Sequence, residues 1–153
     1  MGKILCATRG GEASYRTQEA VIALAQAQDD SIVFLYVLDT DFLDYTERAV
    51  RPDVVATELE HMGEFLLAIA CERAEKQGID ATSCVKHGKL ADALKETAVE
   101  QEVTLVALGR PAGEESRFQI EGLQKLADEI TAETGIEAQI VPADTIPDDQ
   151  IPN

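Results

Sequence analysis

Short apolar runs that alternate with helical segments are the feature that most constrains the fold of this chain. Residues 3–7, 31–38 and 103–109 form such runs, and the second is rich in β-branched and aromatic side chains. Runs of this kind are typical of strands covered on both faces. Because a parallel crossover needs the length of a helix, the alternation predicts an α/β fold with a parallel sheet between two layers of helices.

Helices are predicted at residues 14–28, 53–77 and 90–102 and in a last segment that ends at residue 134. In the first helix, a narrow stripe is expected to pack on the sheet: Ala13, Ala20, Val21 and Leu24. The second helix has the clearest period, with steps of four and three residues, and its stripe is expected to face the core: Val55, Leu59, Met62, Leu66 and Ile69. Gly78 suits the left-handed residue that follows a helix.

The remaining segments set the domain boundary. Residues 81–87 form a shorter predicted strand, and residues 136–141 alternate between apolar and polar side chains, as expected of an edge strand. Residues 40–52 lack a sustained period and are interpreted as a loop that could act as a lid. The chain is therefore predicted to have one domain, residues 1–142, and a poorly ordered acidic tail with prolines, residues 143–153.

The charge of the chain excludes several classes of partner. Its 29 acidic and 13 basic residues give a formal net charge of −16, which repels nucleic acid and anionic membranes. No apolar stretch approaches the roughly 20 residues that span a bilayer, so a cytoplasmic protein is expected. The acids are interpreted as a solvated surface, with or without adaptation to high salt. The widely spaced Cys6, Cys71 and Cys84 are interpreted as buried thiols, not as disulfides or metal ligands.

Four segments, in this order and at these separations, resemble the universal stress protein family. They are residues 4–14, residues 34–39, His87-Gly88 and residues 105–110. The resemblance implies a three-layer α/β/α, Rossmann-like fold of the adenine-nucleotide alpha-hydrolase-like type, with strand order 3-2-1-4-5. It also implies homodimers paired through the fifth strand, Ile136 to Val141, and a role in stress responses without one fixed reaction.

The implied strand order also implies a ligand position. Strand order reverses between strands one and four, and α/β proteins bind ligands at the carboxyl ends of the strands at such a point. The turns that would meet there are residues 7–11 and 109–113. The first turn leads into a helix, whose free backbone N–H groups and dipole favour an anion.

Many members of the family bind ATP through the pattern Gly-x2-Gly-x9-Gly-Ser/Thr after strand four. The resemblance places this pattern on Gly109, Ala112, Gly122 and Leu123, so the spacing is retained while a glycine and a hydroxyl are lost. A methyl group at Ala112 hinders close approach of a phosphate, and Gly113 could compensate only if the loop shifted by one residue.

A further departure is Arg9, which stands where ATP-binding members have an aspartate. A guanidinium can pair with phosphate but cannot hold a ribose hydroxyl or a metal ion. The other contact positions of the family put Ala7 and Val37 near an adenine and Leu108 beside Gly109. The remaining candidate nucleotide- or anion-binding residues are Thr8, Gly10 and Arg110.

Three functions fit these residues. The first is a regulatory binding module with a degenerate nucleotide site, which acts through dimerisation and a protein partner because three specific contacts are lost. The second is a protein that keeps ATP, AMP or another small anion in the crevice through Arg9 and Arg110. The third is a hydrolase or nucleotidyltransferase on the same scaffold.

The sequence gives little support to catalysis. Thr8 and Ser14 lie near the glycine turn, but no Gly-x-Ser-x-Gly pattern is present, and Ser14 is better explained as a helix cap. His61 is expected near solvent, and His87 at the rim of the crevice with a structural role. No metal ion is predicted, because the spacing of three acids after strand two matches no metal-binding loop: Asp39, Asp41 and Asp44.

Overall fold

The computed structural model describes residues 2–8, 12–38, 52–109 and 116–141. Within these residues, five strands and four helices alternate along the chain. The strands are β1 (Lys3–Ala7), β2 (Ser31–Leu38), β3 (Ala81–His87), β4 (Leu105–Gly109) and β5 (Glu137–Val141). The helices are α1 (Glu12–Gln28), α2 (Pro52–Lys76), α3 (Leu90–Glu100) and α4 (Ser116–Thr134). Apart from Pro52, the predicted lid lies outside the described residues, as does the tail.

The sheet has the order β3-β2-β1-β4-β5, and all neighbouring strands are parallel. The predicted fold class and strand order are therefore confirmed. β1 lies between β2 and β4, with Ile4 opposite both Ile32 and Leu105. β5 lies at one edge of this sheet, where the alternating pattern predicted an edge strand. In the described part of the chain, no helix combines the length and apolar character needed to cross a membrane.

Each face of the sheet has its own core. One core contains Ile4, Phe34 and side chains of α1 and α2, and we call this the α1/α2 face. The other contains Leu5, Leu94 and Ile130, and it lies on the α3/α4 face. Successive strand residues point to opposite faces, which explains why nearly continuous apolar runs serve both cores.

The buried stripe of α2 differs from the predicted one. Its buried members are Gly63, Leu67, Ala70 and Ala74. Of the predicted stripe, Met62 is 55% exposed, Leu59 and Ile69 are half-buried, and Leu66 is half-buried and packs against the core. The side chain of Val55 lies outside the described residues. The prediction was wrong for Met62 because it assumed that the side of the helix with the large, regularly spaced apolar residues is the side that packs on the sheet. Small residues bring the helix closer to β2, and Gly63 lies directly against the ring of Tyr36. Gly78, beyond the helix end, has the expected positive φ of 80°.

The predicted role of Ser14 also needs correction, whereas the predicted stripe of the first helix is confirmed for three of its members. α1 begins at Glu12, so Ser14 lies inside the first turn and does not precede the helix as a cap would. The predicted stripe of α1 packs on the core of the α1/α2 face, with Val21 buried and Ala20 and Leu24 half-buried. Gln18 and Ala25 are also buried on this helix, and the side chain of Ala13 lies outside the described residues.

The cysteines differ in burial. Cys6 is fully buried, and this burial raises the pKa of its thiol to about 12. Cys71 and Cys84 are half-buried, and all three thiols are free. The interpretation as buried thiols therefore holds fully for Cys6 and only in part for the other two.

Candidate functional site

The carboxyl ends of β1 and β4 lie side by side. The two strands are paired in parallel through Leu5 opposite Val106 and Cys6 opposite Ala107. The last described residues at these ends are Thr8 and Gly109. The turns that follow contain predicted site residues outside the described part of the chain: Arg9, Gly10, Arg110, Ala112 and Gly113.

Thr8 is held by the backbone and by α1. Its N–H donates to the carbonyl oxygen of Leu35 at 2.8 Å, and its hydroxyl oxygen accepts a hydrogen bond of 2.7 Å from Nε2 of Gln18. Thr8 and Gln18 are only 1% and 5% exposed. Hydrogen bonds between buried groups hold their partners in a defined position. Thr8 is therefore fixed where the chain leaves the sheet.

The hydrogen bonds continue to α2 through Arg73. Nη1 of Arg73 donates to Oε1 of Gln18 at 2.7 Å, and Nη2 pairs with Glu19 at 3.2 Å. The guanidinium carbon lies 4.6 Å from the centre of the Tyr15 ring, within range of a cation–π contact. We call Thr8, Gln18 and Arg73 the Arg73 network. It connects both helices of the α1/α2 face to the end of β1.

Gln18 and Arg73 were not among the site residues predicted from the sequence. A signal was present for Gln18, because it precedes the buried Val21 and Ile22 by three and four residues and so shares their side of the helix. A polar residue on a buried face needs a partner. No comparable signal identified Arg73, whose partners are distant in sequence.

Gly109 is required by packing. A Cβ atom at this position would lie 2.7 Å from Oγ1 of the buried Thr17 on α1, closer than non-bonded atoms approach. The first glycine of the ATP-binding pattern therefore has a structural role here that does not depend on a phosphate.

Gly122 and Leu123 lie in the second turn of α4, which begins at Ser116. Inside a helix, backbone N–H groups donate to carbonyl groups four residues earlier, so only the first turn offers free donors to an anion. The Leu123 side chain is half-buried and packs on the core of the α3/α4 face. A Cβ atom at Gly122 would meet nothing within 4 Å.

A comparison with family models matches residues 1–133 to the universal stress protein family. The chain belongs to the universal stress protein family. A search of curated proteins found no significant match.

Solved universal stress proteins have the same fold. One from Burkholderia pseudomallei has a TM-score of 0.70 and 18% identity, covering 93% of this chain and 96% of that chain. A universal stress protein in complex with cAMP has a TM-score of 0.62 and 20% identity, with coverage of 92% and 96%. An Arabidopsis thaliana member with AMP bound has a TM-score of 0.63 and 14% identity, with full coverage of both chains. At these identities the likeness concerns the fold.

The positions that the family resemblance assigns to an adenine lie on the α3/α4 face. Ala7 and Val37 are half-buried at the ends of β1 and β2, and both pack against that core. Leu108 is in the same core and only 2% exposed. Ala7 and Val37 therefore leave some apolar surface uncovered near the end of β1.

The histidines lie away from β4. His61 is exposed on α2, as predicted. His87 ends β3, which β2 and β1 separate from β4, and its Nε2 lies 4.0 Å from Oε2 of Glu60 on α2. Both side chains of this pair are about half exposed, at 53% and 43%. Among the described residues, no group of three or more His, Cys, Asp and Glu side chains could hold a metal ion. The acids that follow β2 lie outside those residues.

Proposed function

We propose that this chain is a regulatory binding module of the universal stress protein family, with a degenerate nucleotide site that does not hold Mg-ATP tightly. The proposal rests on the position of Leu123. This residue stands where ATP-binding members have a hydroxyl, yet it lies inside α4 and packs on the core. A leucine side chain offers no donor to a phosphate oxygen.

Two other differences from the ATP-binding members of the family also weaken the expected binding of Mg-ATP. Ala112 replaces a glycine, and Arg9 replaces an aspartate that could hold a ribose hydroxyl or a metal ion. Each lost contact to a charged group costs about 1–3 kcal/mol. Three such losses would weaken the affinity for Mg-ATP by at least about a hundredfold.

A second candidate function is the binding of AMP or another small anion without a metal ion. The uncovered apolar surface of Ala7 and Val37 is suited to a base, and structural neighbours have been solved with cAMP and with AMP. Arg9 and Arg110 follow β1 and β4 in the sequence, so their guanidinium groups are candidates for pairing with a monophosphate.

Isothermal titration with Mg-ATP and with metal-free AMP tests both candidates. The first predicts no binding of Mg-ATP tighter than about 100 µM, and micromolar binding would contradict it. The second predicts that AMP binds and that Arg9→Asp weakens this binding. Arg16→Asp, which makes the same charge change on the exposed side of α1, is the matched control. An equal loss in both variants would show a general effect of charge.

We also propose that the module forms a homodimer through β5. Glu137 and Gln139 are exposed on this edge strand, while Ala138 and Ile140 are half-buried. An edge strand presents backbone groups that a second copy can pair with. Sedimentation equilibrium should show a dimer, and Gln139→Pro, which disfavours pairing of this strand, should shift it towards monomer. A monomeric parent protein would contradict this arrangement.

A further inference from the structure

Exposed large apolar side chains are concentrated on α1 and α2. On α1 and α2, Tyr15 is 44% exposed, Val54 49%, Met62 55% and Phe65 66%. Among the described residues, one other large apolar side chain is exposed, Val99 on α3, at 58%. Isolated apolar residues are common on protein surfaces, but a contiguous group of them indicates an interaction site. The spacing of the group on α2 is therefore informative.

Met62, Phe65, Leu66 and Ile69 form a continuous strip. Their spacing of i, i+3, i+4 and i+7 places them side by side along one side of α2, and we call them the α2 strip. Leu66 and Ile69 are half-buried, so the strip joins the core at one border and reaches solvent at the other. Helices that bind partner helices present anchors with this spacing.

A groove between α1 and α2 lies beyond the carboxyl-terminal end of the strip. It has a volume of about 390 Å³, and Ile22 and Ala23 provide apolar surface within it. Arg73, which lies four residues after Ile69, also lines the groove. The α2 strip and the groove are therefore neighbouring parts of the surface formed by these two helices.

The charges along α2 identify the chemistry of a suitable partner. From Val54 to Glu72 the helix contains Glu58, Glu60, Glu64 and Glu72 but no Lys or Arg. The basic residue that follows, Arg73, is paired with Glu19. A second copy of this chain would bring another net charge of −16 and the same acids against the strip, which opposes self-association there.

We propose that the α2 strip is a docking site for a cationic amphipathic helix of another protein. The apolar face of that helix would cover Met62 and Phe65, and its flanking Lys or Arg side chains would meet Glu58 and Glu72. These two acids lie four residues before Met62 and three residues after Ile69, so they border the strip at its two ends. This site is separate from the crevice at the ends of β1 and β4. A failure of this docking would leave the nucleotide proposals unaffected, and a failure of nucleotide binding would leave this one unaffected.

Fluorescence anisotropy with a dye-labelled peptide tests the proposal. The probe is a designed helix of about 18 residues, with Leu on one face and Lys on the other. Saturable binding with one peptide per chain is expected at about 150 mM salt, where weak long-range attraction is screened. The double variant Met62→Gln/Phe65→Ser should weaken binding by at least about tenfold, because anchor residues dominate such interfaces.

Two controls separate docking from attraction by charge. Val99→Ser removes an equally exposed apolar side chain from α3 and should leave the affinity unchanged. A peptide with Ser in place of Leu keeps the positive charge and should bind the parent protein at least about tenfold more weakly. Far-UV circular dichroism should show that the double variant retains its helices, since both altered side chains are mostly exposed.

Three results would overturn the proposal. The first is equal affinity of the parent and the double variant for the peptide, which would show binding by charge elsewhere. The second is the absence of saturable binding to the folded parent protein. The third is a parent dimer that the double variant converts to monomer in sedimentation equilibrium, because the occupant of the strip would then be a second copy of this chain.

Discussion

Thr8 and Thr97 are two buried threonines with different surroundings. Thr8, on the α1/α2 face, is 1% exposed, and its hydroxyl accepts a hydrogen bond from Gln18. Thr97, on α3, is fully buried, and its hydroxyl has no hydrogen-bond partner among the residues that the structure describes. A satisfied buried hydroxyl fixes a position, whereas an unsatisfied one costs free energy. The hydroxyl of Thr8 therefore stabilises the fold next to the crevice, whereas the hydroxyl of Thr97 does not stabilise it.

The two faces also differ in how their helices are held. On the α1/α2 face, the Arg73 network extends from the end of β1 through α1 to α2. On the α3/α4 face, ion pairs outside the core connect the described elements, with Lys86 bonded to Glu100 and Lys95 bonded to Glu129 and Glu133. Partly exposed ion pairs contribute little to stability and less at high salt. The position of the crevice is therefore expected to depend more on the α1/α2 face.

The largest effect on stability is expected when two glycines, one on each face of the sheet, are replaced by alanine. Gly63→Ala would place a methyl group against the Tyr36 ring and should lower the free energy of unfolding by about 2 kcal/mol, because overpacking exceeds the gain in helix propensity. Gly122→Ala, in open space on α4, should raise it by about 0.5–1 kcal/mol. Urea unfolding measures both. A neutral Gly63→Ala would show that the α1/α2 face is not closely packed.

A smaller loss is expected when the Arg73 network is cut at Thr8. Thr8→Val keeps the shape of the side chain but leaves Nε2 of Gln18 without this acceptor, so the free energy of unfolding should fall by about 1–2 kcal/mol. Gln18→Leu removes the same hydrogen bond and also an acceptor of Arg73, so Thr8→Val/Gln18→Leu should lose less than the sum of the two single variants. Additive losses in the double variant would mean that the hydrogen bond is not the source of the effect.

A substitution at Thr97 is expected to change the free energy of unfolding in the opposite direction. Thr97→Val removes a buried hydroxyl without a partner and should raise the free energy of unfolding by about 0.5–1 kcal/mol, after the small helix-propensity cost of valine. The same urea experiment measures it, with Thr8→Val as the matched substitution on the other face. A loss of stability in Thr97→Val similar to that in Thr8→Val would remove the distinction between the two threonines.

The sequence predicted the sheet well because burial on both faces leaves few alternatives. Runs such as Ser31–Leu38 are apolar along nearly their whole length, so neither face can be turned to solvent, and crossover helices then require parallel strands. The helix faces were predicted less well. α2 has large apolar residues on more than one side, and the choice between Met62 and Leu67 depends on how closely Gly63 approaches Tyr36. The contact between Gly63 and Tyr36 depends on how the helix packs on the sheet, so no periodic pattern in the sequence indicates it.

The candidate site was predicted to a smaller extent. The sequence and the resemblance predict a site at the ends of β1 and β4, and the structure shows that these strands are neighbours. Arg73 was missed because its contact joins segments far apart in the chain: Gln18 and Arg73 are 55 positions apart in the sequence. Local patterns report local neighbours, so a hydrogen bond between two helices stays hidden until both helices are placed.

The smallest effect is expected at the ion pairs of the α3/α4 face and depends on pH. The hydrogen bond from Lys86 holds the pKa of Glu100 below its ordinary value of 4.5, and the same bond raises the pKa of Lys86 above its ordinary 10.5. A lowered carboxyl pKa stabilises the fold above the ordinary value, and this contribution is lost as the pH falls through the lowered pKa. A raised lysine pKa stabilises below its ordinary value, and that contribution is lost as the pH rises through the raised pKa.

The stability difference between the parent and Lys86→Met should therefore be constant from about pH 5 to pH 10 and should shrink outside this range. Lys76→Met, which removes one positive charge from the other helical layer, is the control for net charge. Urea unfolding at several pH values, in low and high salt, measures the difference between the two variants. A Lys86 effect that persists in acid and in high salt would mean that this face is held by more than exposed ion pairs, and the contrast between the two faces would fail.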